Sequence, residues 1–460
     1  MSVVSEELSL KGVVKELLSY KSAILGLIIL AGLIVLSIYA ILFTPFAESG
    51  ALWNDQQVWL KYPRTAAPEW TNIFSGKKLP KNVYVNMSKP VNISKEGTRI
   101  KRTYISEFSF NYDDTPSEVI FFFNASYEKL RPKISILWIR PDGENLSLGE
   151  YKIRKGGTSI YLSNNLRLIS DLQETIEERL GKKVNKSLTL EDILFRDFRT
   201  GDVMKGTYTV RLDVLVKNET DRVEWQGIVY GKVYGLAGTD DKRRPLHLGL
   251  LWGAPIALAF GLVASLSITF IQLIISAISG YYGGKVDSVI QRLTEIYMIL
   301  PFLPMLVLVQ LLYGMNLWRL LLLLIVLSIF GTSVKTYRVW VMQLKSYPYV
   351  EAAKAYGASN MRIIFLYILP RLIPPTIPSL VLAVPGYVFL EAALAFLGLS
   401  DVNIVTWGRI VEEAFSEGAL YKGYYHWVLM PSLMLVITAI SFALIGIALD
   451  RIVNPKLKEM

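Results

Sequence analysis

The chain has 460 residues, 52% hydrophobic and 19% charged, with a formal net charge of +10 from 49 Lys and Arg against 39 Asp and Glu. The absence of Cys and the presence of only two His, His247 and His426, exclude disulfides, thiolate zinc sites, iron–sulfur clusters, cysteine nucleophiles and a His-rich metal centre. An ordinary soluble domain carries about 25% charge, so long uncharged stretches must dilute the average, and hydrophobicity this high argues against nucleic acid as the partner of the positive charge.

Residues 22–43 carry no charge, and at 1.5 Å per residue they extend roughly 33 Å, enough for a hydrocarbon core of about 30 Å. A secretory signal has a shorter apolar region, about 7–15 residues, and no convincing small-x-small cleavage site follows. The run therefore predicts an uncleaved transmembrane helix, preceded by a short N-terminus, within 1–43.

Residues 44–246 differ in character, with 32 basic and 26 acidic residues. Stretches at 103–112, 118–127, 133–143 and 206–218 read as strands, separated by turn signals such as Pro141-Asp142-Gly143 and Gly156-Gly157. Helix spacing appears near 164–198, where Thr189 is placed to cap a second helix. The expectation is a mainly β, sandwich-like domain with a helical insertion. Its aromatic strands read as sandwich core before carbohydrate surface, and Lys77-Lys78, Lys101-Arg102 and Lys182-Lys183 as solvated faces. Six N-x-[ST] sequons lie here, at Asn86, Asn92, Asn124, Asn145, Asn185 and Asn218, while none of the four Asn elsewhere is in one. This concentration predicts a glycosylated domain outside the cell.

From 247 to 460 the chain reads as a five-helix membrane core, with apolar runs near 250–279, 293–313, 318–337, 376–399 and 427–449. With the first helix these make six spans, which puts both termini on one side. Fourteen Lys and Arg fall on that side, from Lys11, Lys15 and Lys21 to Arg451, Lys456 and Lys458, against Arg319, Arg409 and Lys422 in the opposite short loops. By the positive-inside rule both termini are cytoplasmic and 44–246 is extracellular. Trp252, Trp318, Trp407 and Trp427 fall near span ends, as in an interfacial aromatic belt.

The longest cytoplasmic connection, 335–375, contains Glu351-Ala-Ala-Lys-Ala-Tyr-Gly357 and, further on, Leu369-Pro370. Glu351 to Lys354 are good helix formers and Gly357 can end a helix with φ > 0. The result is a short surface helix with a small-residue face, open to close approach by another protein or lying on the membrane as an amphipathic connector. Glu391 sits in an apolar stretch, where an intramembrane carboxylate costs about 2.5–3.5 kcal/mol. By default it faces the bundle interior, where it would line a path through the bundle; otherwise it sits near the outer membrane end or pairs structurally with another subunit. Pro301, Pro304, Pro385 and Gly386 are expected to interrupt regular helix, as path-lining or packing kinks.

The 351–370 pattern resembles the EAA motif of permease subunits of ATP-binding-cassette importers, with Tyr367 where the family pattern has Ile. Gly280-Tyr-Tyr-Gly-Gly-Lys-Val-Asp287, Glu391-Ala-Ala-Leu-Ala-Phe-Leu-Gly-Leu399 and Thr406-Trp407-Gly408 resemble the dipeptide/oligopeptide permeases, in the subunit usually called C. The resemblance covers 21–43 and 236–457 but not the external domain, and Arg243-Arg244-Pro245 stands where the family usually continues with Gly-Arg-Asp. It implies a type I importer fold of six helices in the cell membrane. The EAA helix would dock on an ATPase, with Glu351, Ala352, Ala353, Gly357 and Pro370 at or beside that contact. The implied partners are a second permease subunit, two ATPase subunits that bind ATP and Mg, an extracellular substrate-binding protein and membrane lipid. The chain itself has no Gly-x-x-x-x-Gly-Lys-[Ser/Thr] phosphate loop, so it needs no cofactor of its own and is not expected to be an enzyme. Oligosaccharide import by the same machine stays open beside peptide import, and a membrane-anchored surface receptor is the reading from another class. Sequons without Cys suit an archaeal cell surface.

Overall fold

The computed structural model describes residues 15–180 and 188–453, so the sequon at Asn185 and the basic residues Lys11, Lys182, Lys183, Lys456 and Lys458 lie outside the described residues. The chain divides into two compact units, one formed by residues 1–54 with 248–460 and the other by Asp55–His247. Residues 44–54, expected with the external domain, group with the helical unit and contain the short helix Ser49–Asn54.

Among the described residues of the β-rich unit nine strands form two antiparallel sheets: β1 (Val83–Asn86), β2 (Asn92–Glu96), β3 (Arg99–Phe110), β4 (Glu118–Ser126), β5 (Lys133–Ile139), β6 (Asn145–Lys152), β7 (Gly156–Tyr161), β8 (Gly206–Val216) and β9 (Arg222–Tyr230). One sheet runs β1-β9-β4-β7 and the other β2-β3-β8-β5-β6. Alternation sets which face is buried. In β8, Tyr208, Val210, Leu212, Val214 and Val216 all point inward. Both sheets contribute to one core, where Phe108 stacks on Tyr208 at 5.4 Å and Trp138 meets Phe195 at 5.5 Å. The helical insertion closes that core. Within the helix Leu166–Leu180, Leu168, Leu172 and Ile176 repeat every four residues and enter it. Thr189 caps the helix Leu190–Phe195, accepting from the Asp192 N–H at 3.2 Å.

The unit's entry and exit segments are stitched together. Thr65 N–H donates to the Asp240 carbonyl at 2.8 Å, Ala66 N–H to Thr239 Oγ1 at 2.9 Å, and Thr239 Oγ1 to the Pro63 carbonyl at 2.8 Å. The buried Asp240 carboxylate pairs with the buried Arg244 side chain and accepts from its backbone N–H at 2.8 Å. Arg243 is one of two non-glycine residues with positive φ among the described residues (+68°). Its guanidinium pairs with Glu118, donates to the Tyr62 carbonyl at 3.0 Å and lies 4.8 Å from the Tyr230 ring centre. Three contacts thus offset a strained backbone. The departure from the family's Gly-Arg-Asp is a structural clasp.

In the helical unit we label α1 (Lys21–Phe43), α2 (Leu246–Tyr282), α3 (Gly284–Ile299), α4 (Phe302–Tyr313), α5 (Leu317–Leu327), α6 (Ser333–Lys345), α7 (Pro348–Ala355), α8 (Asn360–Leu399), α9 (Trp407–Ser416) and α10 (Tyr425–Val453). Among the described residues α1, α2, α8 and α10 are each long and apolar enough to cross a membrane, and α3 with α4 makes a fifth candidate bent by 81°. The run expected at 293–313 is therefore broken. Leu300 precedes a proline and takes an extended ψ of 133°, leaving Pro301 to start α4. The run expected at 318–337 is divided too, with α5 ending at Leu327 and α6 starting at Ser333.

The interrupted helix expected at Pro385 and Gly386 is continuous there: α8 runs from Asn360 through Pro370, Pro374, Pro375, Pro378 and Pro385 to a kink at Gly398 (φ +80°) in its last turn. In a regular helix the Pro370 ring would meet the Leu366 carbonyl. A wider π turn, Ile364–Ile368, occupies that place and takes up the clash. This continuity also shortens the expected 335–375 connection, because 360–375 already belongs to α8. Helices approach closely where a side chain is missing. A Cβ on Gly26 of α1 would lie 2.8 Å from the Ser441 carbonyl oxygen of α10, and Ser441 Oγ donates to the Gly26 carbonyl at 2.9 Å. Of the expected aromatic belt only Trp318 is exposed; Trp252, Trp407 and Trp427 are buried. Trp252 donates to Thr44 Oγ1 at 2.9 Å and Trp407 to the Leu250 carbonyl at 2.8 Å, uses that bring an indole N–H inside.

Candidate functional site

The short helix α7 is built by its ends. Pro348 occupies its first turn, where a missing N–H costs nothing. At the other end Gly357 takes φ +77°, its N–H donates to the Lys354 carbonyl at 2.9 Å, and Ala358 N–H reaches back to the Ala353 carbonyl at 3.0 Å. This is a Schellman ending, and it turns the chain sharply into Ser359, whose side chain caps α8 by accepting from Arg362 N–H at 3.4 Å.

One face of α7 is anchored. Val350 and Ala353 are buried against Tyr281, Val341, Ile363 and Ile364. Ala353 was expected to shape an intermolecular contact, but its side chain is turned inward, because it follows Val350 by three residues on the same helix face. Glu351, Ala352 and Gly357 are exposed, with Tyr356 beside them 92% exposed. Pro370 is also exposed, but it lies in α8 beyond the helix itself. The available face is thus a carboxylate, small side chains and an uncovered tyrosine on a rigid base.

That base includes residues not expected from the motif. Tyr281 Oη donates to Asn360 Oδ1 at 2.9 Å, while Lys345 Nζ donates to the Tyr281 carbonyl at 2.6 Å. The ammonium groups of Lys345 and Lys354 each lie 5.5 Å from the Tyr281 ring centre, and Arg371 lies 3.5 Å from that of Tyr349. Asp287, last residue of the glycine-rich run, accepts from Ser279 Oγ at 2.5 Å and pairs with Arg338 of α6. In the sequence Asp287 stands out only as the end of the family-like Gly280–Asp287 run, and Arg338 and Arg371 only as part of the charge bias.

The residues expected along a path occupy three different environments, while their neighbours Phe302, Tyr387 and Leu390 pack in one cluster. Pro301 lies at the α3–α4 bend. Gly386 is exposed, with no atom within 4 Å of where its Cβ would stand. Glu391 is buried, only 4% exposed, and accepts a hydrogen bond from the side chain of Thr406, the residue that caps α9. A Cβ on Gly408 would lie 2.5 Å from the Ala392 Cα, so the family-like segments 391–399 and 406–408 are packed directly against each other. Of the sequon residues, Asn86, Asn92, Asn124 and Asn145 are exposed, and Asn218 is half-buried with Nδ2 3.5 Å from Glu128 Oε2.

Residues 272–459 match the family described as binding-protein-dependent transport system inner membrane component. The chain is 31% identical over 223 residues to the dipeptide transport system permease protein DppC of Bacillus subtilis, covering 48% of this chain and 69% of that protein. It is 30% identical over 226 residues to the oligopeptide transport system permease protein OppC of the same organism, covering 48% and 72%. With OppC of Haemophilus influenzae it shares 31% over 225 residues, covering 48% and 71%. With the motif helix, its glycine ending and the family-like segments in place, the chain belongs to the family of binding-protein-dependent transport system inner membrane components, among the dipeptide and oligopeptide permeases.

Proposed function

We propose that this chain is the membrane-spanning permease subunit of an ATP-binding-cassette importer that carries peptides into the cell. The dipeptide and oligopeptide transport of its relatives supports the cargo. The observation that carries the mechanism is the solvent-facing Glu351–Gly357 surface, held on a packed base and ended by a glycine with φ +77°. On this reading α7 docks in a partner ATPase, and a second permease subunit supplies the matching helix. ATP-driven closure of the two ATPases moves the helices together, rocking the bundles between inward- and outward-facing arrangements. The ATPases bind ATP and Mg, and this chain supplies the path.

Six spans fit this reading if α3–α4 is one and α5 with the start of α6 is another. The charge bias supports cytoplasmic termini and an external β-rich unit, and the sequons support glycosylation of that unit. An extracellular binding protein delivers the peptide. The test is reconstitution of the purified complex in proteoliposomes with its binding protein. ATP-dependent accumulation of a labelled peptide, with two ATPases and a second permease co-purifying, is expected. A chain that purifies without ATPases and moves no peptide would overturn the proposal.

A further inference from the structure

The outer face of the β1-β9-β4-β7 sheet carries an open groove of about 480 Å³ that the transport reading does not use, a volume within the usual range for ligand sites. Strand alternation puts Phe122, Asn124 and Ser126 of β4 on this face. Asn124 is both a lining residue and a sequon. Its neighbours across the sheet are unequal: Gly157 on β7, with nothing within 4 Å of its Cβ position, and the exposed Glu224 on β9. One residue pair along, Phe122 is flanked by Ser159 and Gln226. Beside an exposed Asn amide there is therefore a bare strip, a carboxylate, an apolar ring, a hydroxyl and a second amide.

We propose that this groove is the seat of a glycan attached to Asn124, whose first sugars lie over Phe122 with their hydroxyls bonded to Glu224, Ser159 and Gln226. The proposal rests on the external placement of the unit. A pyranose ring has an apolar C–H face and a rim of hydroxyls, so it matches an aromatic ring bordered by acceptors and donors. Attachment replaces one N–H of Asn124 Nδ2 by a bond to the anomeric carbon of an oligosaccharide carried on a lipid-linked phosphate. That phosphate leaves, and the amide proton is released. Asn86, a second sequon on the same face, has its Oδ1 held by Gln226 Nε2 at 2.7 Å, an arrangement that leaves its own Nδ2 unengaged by that bond. The groove thus organises the sugar as a cover for the sheet.

The test uses the full chain purified from its own membranes. Glycopeptide mass spectrometry first reads each sequon, and hydrogen exchange then follows strands β4, β7 and β9. Ser126→Ala removes the sequon and keeps Asn124; it is expected to speed exchange in β7 and the adjoining part of β9 roughly tenfold. Ser126→Thr should restore protection, and Ser147→Ala, which empties the Asn145 sequon, should leave these strands unchanged. Phe122→Leu should cut the effect of Ser126→Ala. An unmodified Asn124 beside modified Asn92 or Asn145 overturns the groove alone, as does an occupied Asn124 whose loss changes no exchange rate. If every sequon is bare and a cysteine placed at Ser75 resists an impermeant maleimide on intact cells, external placement fails and the groove inference with it.

Discussion

Arg338 holds Asp287 by two parallel contacts, Nε to Oδ1 at 2.5 Å and NH2 to Oδ2, and so ties the glycine-rich turn after α2 to the helix that leads into α7. Both side chains are partly buried, with 26% and 16% of their surface exposed. A hydrogen bond to a charged group contributes about 1.5–3 kcal/mol, so Asp287→Ala should lower the melting temperature of the detergent-solubilised protein and impair peptide-stimulated ATPase activity. Asp287→Ala/Arg338→Ala should be milder than the sum of the single changes, because the unpaired guanidinium is gone. Strict additivity of the three melting shifts would show that the pair does not couple.

At Gly357 the obstacle to substitution is conformational, since no atom lies within 4 Å of its Cβ position and φ is +77°. An L-residue there pays roughly 1–2 kcal/mol. Asn tolerates that region, Ala less well, and a β-branched residue worst. The expected order of coupled transport is therefore Gly, Asn, Ala, Ile, with Gly357→Ile leaving ATPase activity that no longer drives uptake. Intact uptake in Gly357→Ile would remove α7 from the coupling role.

Two glycines of α1 provide a matched comparison. Gly26 abuts α10, whereas Gly32 has nothing within 4 Å of its Cβ position. Overpacking costs about 1–3 kcal/mol, so Gly26→Val should lower the melting temperature and the yield of assembled protein. Gly32→Val should do neither when assayed alone in detergent. Equal behaviour of the two variants would contradict the packing described for α1 and α10.

The β-rich unit should lose stability in acid. Burial opposes the charge on Asp213, yet the Thr103 hydroxyl and the neighbouring Arg211 and Lys101 outweigh it and hold the carboxyl below its ordinary 3.8. For Asp192 the same opposition is overcome by Arg196 and the Thr189 hydroxyl. A depressed folded-state pKa gives stability that is fully present above the unfolded value of about 3.9 and lost as pH falls through the folded one. Protection across β3 and β8, measured relative to the intrinsic exchange rate at each pH, should therefore fall below about pH 4, and Asp213→Asn should flatten that dependence. A profile in Asp213→Asn identical to that of the unaltered chain would rule out this contribution.

Legibility in the sequence followed the range of the forces involved. The end of α7 could be read because Gly357 acts within its own turn, and Thr189 likewise because a cap needs only three residues. Strand alternation in β3, β4, β5 and β8 marked a half-buried sheet. The path of α8 was hidden, because proline preference is learned from helices in water, while a membrane helix absorbs Pro370 by widening one turn. Ala353 was misleading for a different reason: a small residue in a contact motif suggests an outward task, and only its neighbours Val350 and Ile363 show it turned inward. Glu391, expected to face the bundle interior, is buried beside Thr406.

The stitched entry and exit of the β-rich unit carry a consequence for how such a chain tolerates its own size. With Thr65 and Ala66 bonded to Asp240 and Thr239, the two ends of the insertion are already closed upon each other. Loop-closure entropy, which grows only slowly with length, is met inside the insertion by its own hydrogen bonds. To the helices it joins, a domain larger than many whole proteins is then an ordinary short connection. Strands could be lengthened, sugars added or the whole cargo of sheets exchanged, and the bundle would register little more than a different knot in the same piece of string.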